Sequence, residues 1–158
     1  MSIYVFDSSS LNILIKHYYE GRFPSLWTSV DRLVNKGEMI SVREAQRELD
    51  FFFNRNPFID RATITTKFFQ LANQEELMLV RDIFSNKRFQ DLVSRKNILR
   101  GTPVADPFLI AKAEFCSGIV VTQEESKPNG VKIPNVCKER KVICINLERF
   151  MERQNWIF

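Results

Sequence analysis

Hydrophobic positions along the chain fall into short, wholly apolar runs, each set beside a longer stretch with helical spacing. Ile3-Tyr4-Val5-Phe6 is the first run and reads as a buried strand. Asp7-Ser8-Ser9-Ser10 follows, and Leu11, Ile13, Leu14 and Ile15 come next, so an N-cap cluster opens an amphipathic helix that should fail near Gly21 and Pro24. A second helix is expected from about Pro24 through Val34, stopped at Asn35-Lys36-Gly37. Met39-Ile40-Ser41-Val42 reads as a strand, and Arg43 to Phe53 carries Ala45, Leu49, Phe52 and Phe53 at helical spacing. Residues 57 to 100 predict two or three helices and no strand, and Arg100-Gly101-Thr102-Pro103 predicts a loop.

The pattern sharpens again toward the C-terminus. Asp106-Pro107 starts a helix that runs through Phe108, Leu109, Ala111, Ala113 and Phe115 and ends at Gly118. Ile119-Val120-Val121-Thr122 is the clearest buried strand. A polar loop from Gln123 to Lys132 precedes a short helix at Ile133-Pro134, a last strand at Val142-Ile143-Cys144-Ile145 and a terminal helix ending near Trp156. Strands that alternate with helices and are apolar throughout predict an α/β fold with a mainly parallel sheet covered on both faces. With no internal repeat, linker or low-complexity segment, residues 1–158 read as a single domain.

Composition narrows the function classes more than the fold. Hydrophobic residues make up 44% and charged residues 27% of the 158, which fits a globular chain. The 14 Phe against 3 Tyr and 2 Trp predict a bulky core with few buried hydroxyls. A formal charge of +4 permits a polyanionic partner without requiring one. The three cysteines, Cys116, Cys137 and Cys144, form no C-x-x-C pair, and His17 is the only histidine, which argues against a Cys/His zinc site. The odd cysteine count, with no secretory signal before the first strand, leads us to expect a cytoplasmic protein. No stretch approaches the ~20 apolar residues of a membrane-spanning helix, so no membrane partner is expected.

The candidate chemistry lies after the strands, because sites in open α/β sheets form beyond the carboxyl ends of their strands. Asp7 follows the first strand, Glu44 and Glu48 the second, and Glu124 and Glu125 the Ile119–Thr122 strand, while Asp106 opens the helix leading into that strand. Taken singly, Asp7 and Asp106 read as helix caps, and Glu48, Glu124 and Glu125 as solvated charges. Taken together, carboxylates with no histidine cluster suit a hard cation held by oxygen. Dinucleotide, P-loop and nucleophile-elbow signatures are absent from the sequence.

These residues carry a family resemblance. Tyr4-Val5-Phe6-Asp7-Ser8-Ser9, Ser41-Val42-Arg43-Glu44-Ala45-Gln46-Arg47-Glu48-Leu49, Ala105-Asp106-Pro107-Phe108-Leu109-Ile110-Ala111-Lys112-Ala113 and Val120-Val121-Thr122-Gln123-Glu124 resemble, in order and approximate spacing, the four motifs of the PIN-domain nucleases. That superfamily includes the VapC-like ribonuclease toxins, and the chain looks most like a stand-alone PIN-like subgroup of bacterial proteins. The resemblance implies a PIN-like three-layer α/β/α sandwich and an Mg²⁺- or Mn²⁺-dependent endoribonuclease leaving a 5′-phosphate and a 3′-hydroxyl. It implies Asp7, Glu48, Asp106 and Glu124 as catalytic metal ligands. Glu48 is preferred to Glu44 because it stands directly before Leu49. Ser9 and Thr122 would orient the carboxylates.

The resemblance departs from the family pattern at Glu124, where many members have Asp, and at Asp106-Pro107. RNA would be the substrate, with Arg43, Arg47, Arg100 and Lys127 as candidate backbone contacts, although single basic residues are mostly solvated charges. A cognate antitoxin and a homodimer are the partners the family implies. A non-cutting module that binds RNA or protein and a metal-dependent DNA nuclease are the alternatives.

Overall fold

The computed structural model describes residues 1–52, 67–92 and 104–158. The expected loop at Arg100–Pro103 and the two ends of the expected central helical segment, residues 57–66 and 93–100, lie outside them. In chain order the elements are β1 (Tyr4–Phe6), α1 (Ser8–His17), α2 (Pro24–Lys36), β2 (Met39–Val42), α3 (Arg43–Phe52), β3 (Phe69–Gln70), α4 (Gln74–Ser85), a 3₁₀ helix (Lys87–Leu92), α5 (Asp106–Cys116), β4 (Ile119–Val121), α6 (Ile133–Glu139), β5 (Ile143–Ile145) and α7 (Leu147–Arg153).

The five strands form one sheet in the order β3-β2-β1-β4-β5, and every pairing is parallel. β1 is central. The chain first builds outward on one side, through β2 and β3, and then on the other, through β4 and β5. The strand order therefore reverses between β1 and β4, and a crevice opens beyond their carboxyl ends in such doubly wound sheets.

Side-chain alternation divides the core in two. Tyr4, Phe6, Met39, Ile119 and Val121 pack on one face against Leu11 and Leu14 of α1, Leu26, Val30 and Leu33 of α2, and Leu147 and Phe150 of α7. Val5, Ile40, Val42 and Val120 pack on the other against Val80 and Ile83 of α4, Leu109 and Ile110 of α5, and Ile133 and Val136 of α6. Burial on both faces is why these strands read as continuous apolar runs. The result is the three-layer α/β/α sandwich, consistent with a PIN-like arrangement, with a sheet that is wholly rather than mainly parallel.

Three expectations need correction. A strand, β3, lies in the segment expected to hold none. It is two residues long and exists through long-range pairing, with Ser41 opposite Phe69 and Val42 opposite Gln70, which leaves no local periodicity to read. The terminal helix stops at Arg153 and does not reach Trp156. The last strand is not wholly buried: β5 is the sheet's edge, and Ile143 is 54% exposed.

Two turns set the register of the sheet. Gly37 ends α2 in the left-handed region, with φ of 72°. Gly118 leads from α5 into β4, and a Cβ there would lie 2.9 Å from Cys116 Sγ and 3.0 Å from the Ile3 carbonyl oxygen. Only a residue without a side chain lets β4 pass so close to β1.

Candidate functional site

Asp7 and Thr122 extend the two central strands by one residue each. The Asp7 amide donates to the Val121 carbonyl at 2.9 Å and the Thr122 amide to the Ile145 carbonyl at 3.0 Å. Both side chains are buried where the sheet order reverses. Asp7 is the N-cap of α1, as its local sequence predicts, with Oδ1 accepting from the Ser8 amide at 2.8 Å. Capping uses only one of its oxygens. Oδ2 accepts from Thr122 Oγ1 at 2.8 Å and from Ser9 Oγ at 2.7 Å. Ser9 Oγ also accepts from the Gln123 amide at 3.0 Å. Ser9 and Thr122 thus fix the Asp7 carboxylate from two directions.

Glu48, on α3, is not a solvated helix residue. It is half-buried, with Oε2 accepting from Ser8 Oγ at 2.7 Å and Oε1 from the Ala105 amide at 2.6 Å. Burial, reinforced by the charges of Asp7 and Glu124, raises its pKa from 4.5 to about 7, against the opposing effect of the hydrogen bonds from Ser8 and Ala105. Glu44 points elsewhere: its Oε1 lies 3.9 Å from the Arg43 guanidinium, and its Oε2 is a buried oxygen with no hydrogen-bond partner among the described residues.

Asp106 is not the cap of α5. It is the first residue of that helix, and Ala105 occupies the cap position without a side-chain bond. Pro107, expected at the first helical position, stands second in the helix. Burial pushes the Asp106 carboxyl well above the usual carboxylate range, followed by the charges of Asp7, Glu124 and Glu48, with Lys132 pulling slightly the other way. Glu124 is half-buried beyond β4. Its amide donates to Thr122 Oγ1 at 3.1 Å, and its Oε2 accepts from the Ile133 amide at the start of α6, at 2.9 Å. Glu125 is exposed.

Asp7, Glu48, Asp106 and Glu124 therefore lie in one electrostatic neighbourhood at the carboxyl edge of the sheet, where the charges of Asp7 and Glu124 act on both Glu48 and Asp106 and that of Glu48 acts on Asp106. Four oxygen donors with no imidazole or thiolate among them fit a hard divalent cation by chemistry. Spacing is a separate matter. Among the described residues, no three His, Cys, Asp or Glu side chains stand close enough together to share a metal ion. Three of the acids instead accept hydrogen bonds from protein donors at Ser8, Ser9, Thr122, Ala105 and Ile133.

A family model described as "Domain of unknown function (DUF4411)" matches residues 4–158. The chain belongs to that family. No curated protein and no solved structure matches it. The matched span contains all four acids, Ser9 and Thr122.

The basic residues are more scattered. Half-buried Arg43 and exposed Arg47 line a hollow of about 470 Å³ with Glu44, Val104 and Phe108, next along the chain to Asp106. Lys127 is exposed in the loop after Glu124. Arg100 lies outside the described residues. Sequence reasoning did not single out two participants. Ser8 links Asp7 to Glu48, and its place in the Asp7-Ser8-Ser9 run was the available signal. Arg149 lines a groove of about 890 Å³ with Glu124, Thr122 and Asn146, and nothing in its local sequence marks it. His17 is exposed in the last turn of α1.

No described helix is long and apolar enough to cross a membrane.

Proposed function

We propose that this protein is a metal-dependent endoribonuclease that uses Asp7, Glu48, Asp106 and Glu124 to hold Mg²⁺ or Mn²⁺. The observation that carries the reading is the mutual charge of these acids at the reversal point of a parallel sheet. Burial and like charge raise Glu48 to about 7 and Asp106 well above its usual range. Crowded, desolvated carboxylates are costly as a structural device, and a divalent cation offsets that cost. A bound cation would supply Lewis-acid stabilisation of charge on a phosphoryl group and a nucleophile at neutral pH.

The chain's own residues have separate tasks in this scheme. Ser9 and Thr122 hold Asp7 in one rotamer. Ser8 and the Ala105 amide orient Glu48. The start of α6 fixes Glu124. Arg43, Arg47, Lys127 and Arg149 would meet a phosphate backbone in this scheme, and such contacts make binding weaken as salt rises. The proposed biological role is the toxin of a toxin–antitoxin pair, active in the cytoplasm and restrained by a partner that covers the acids. That role rests on the resemblance to the PIN-domain nucleases.

A second reading is favoured by a specific observation. Three of the acids are hydrogen-bonded to protein donors, and no described trio is gathered for an ion. This suits a non-cutting module that binds RNA or protein. Incubating the purified chain with a mixed RNA pool, with Mn²⁺, Mg²⁺ or chelator, separates the two. Metal-dependent fragments with 5′-phosphate ends support the nuclease. Salt-sensitive RNA binding without fragments supports the module. Cleavage of DNA in place of RNA would move the proposal to the DNA nuclease alternative.

A further inference from the structure

Two of the three cysteines meet at the α6–β5 corner. Cys137 lies in the last turn of α6 and is fully buried. The chain then reverses through Lys141, whose φ of 58° is left-handed, and the Val142 amide donates to the Cys137 carbonyl at 2.8 Å. This brings β5 back beneath α6. In β5, Ile145 packs on the α1–α7 face of the sheet, so its neighbour Cys144 faces the other way, into the cluster that contains Cys137. Register agrees, because Cys144 stands beside Val120, a member of that same cluster. Cys137 and Cys144 thus share one apolar cluster at this corner, and each thiol shifts the other's pKa.

The two sulfurs differ in access. Cys137 is sealed, whereas Cys144 is half-buried and lines the 890 Å³ groove beside Glu124 and Thr122. A small polar solute in the groove can reach Cys144 and not Cys137. We infer that Cys137 and Cys144 form a peroxide-reactive thiol pair, in which Cys144 is oxidised first and Cys137 closes an intramolecular disulfide. Only seven positions separate them along the chain, so little chain entropy opposes closure. Interaction with the Cys137 thiol lowers the Cys144 pKa and raises that of Cys137, although burial and then the charges of Asp7 and Glu124 oppose the lowering at Cys144. This direction matches the assignment of Cys144 as the attacking sulfur.

The chemistry balances with hydrogen peroxide as oxidant. The Cys144 sulfur attacks a peroxide oxygen, the O–O bond breaks, and one water leaves as Cys144 becomes a sulfenic acid. The Cys137 sulfur then attacks the Cys144 sulfur, the S–O bond breaks, and a second water leaves. Two thiols are oxidised and one peroxide is reduced. Cys116 has no part in this. It sits at the end of α5 with its thiol toward the Ala113 carbonyl at 3.9 Å, and burial raises its pKa.

The test is hydrogen peroxide treatment of the full chain, followed by denaturing alkylation and peptide mass mapping. The parent and Cys116→Ser should each lose two hydrogens, with residues 137 and 144 joined and protected from alkylation, and dithiothreitol should restore both thiols. Cys137→Ser should stop at a sulfenic acid on Cys144 that a cyclic 1,3-dione traps, and Cys144→Ser should give no trapped product. The parent mapping stands alone if either variant fails to fold. Full alkylation of all three cysteines after peroxide, a disulfide containing Cys116, or a disulfide between chains would overturn the inference.

Discussion

Ser8 Oγ donates to Glu48 Oε2 at 2.7 Å, while the Ser8 amide donates to Asp7 Oδ1 at 2.8 Å. One residue at the first position of α1 thus joins a carboxylate on β1's end to one on α3. The bond to Glu48 holds down a pKa that burial raises. Ser8→Ala should therefore move the Glu48 titration further above 7 and cost about 1 kcal/mol of stability. NMR titration of the Glu48 side chain and urea unfolding read the two effects. An unmoved titration would mean that this bond does not form in solution.

The pH dependence of stability has a definite sign. Glu48 titrates near 4.5 when unfolded and near 7 when folded. Between these values the unfolded chain has lost a proton that the native chain still holds, so stability falls as pH rises through the window, by on the order of 3 kcal/mol. Asp106 adds a loss of the same sign, beginning at lower pH. Glu48→Gln should flatten the decline between pH 5 and 8 and make the variant more stable than its parent at pH 8. Urea midpoints across that range check this.

A divalent cation should reverse the same decline. At pH 8, Mn²⁺ or Mg²⁺ that binds only the folded chain raises its melting temperature with rising metal concentration. Asp106→Asn should remove most of that shift while retaining the helix, since Asp106 provides no cap to α5. Equal metal-induced shifts in parent and variant would detach Asp106 from the cation.

Away from the site, Lys112 Nζ lies 2.7 Å from Glu76 Oε1, with both side chains buried. Gln70 Oε1 takes a second bond from Lys112 at 3.2 Å. Glu76 also closes the capping box of α4 with Asn73. Lys112→Met strands a buried carboxylate and should cost roughly 3–5 kcal/mol, whereas Lys112→Met with Glu76→Gln should recover a large part. Equilibrium unfolding of the single and double variants measures the coupling.

Much of this architecture is legible in the sequence because burial on both faces writes β1 and β4 as continuous apolar runs and β2 as one broken only by Ser41. Ile119-Val120-Val121 announces itself in that way, and Gly37 and Gly118 mark the turns around the strands. β3 is not legible. Phe69 and Gln70 become a strand only by pairing with Ser41 and Val42, a relation between distant segments. The same limit applies to the acids. Asp7 and Asp106 look alike as residues ahead of helices, yet only Asp7 caps. Glu44 and Glu48 share one helix, yet only Glu48 meets Ser8 and the Ala105 amide. Those distinctions depend on three-dimensional packing. Cys137 and Cys144 read as separate small hydrophobes until the α6–β5 turn brings them together.

The proposal that these acids serve metal-dependent RNA cleavage is tested most directly by comparing the parent with Asp106→Asn on a mixed RNA pool in Mn²⁺, with a chelator control. The account predicts chelator-sensitive fragments from the parent and at least a ~100-fold slower reaction from the variant, equivalent to about 2.7 kcal/mol of lost transition-state stabilisation. Equal cleavage by a folded Asp106→Asn protein, or a folded, metal-loaded parent that yields no fragments, would contradict it.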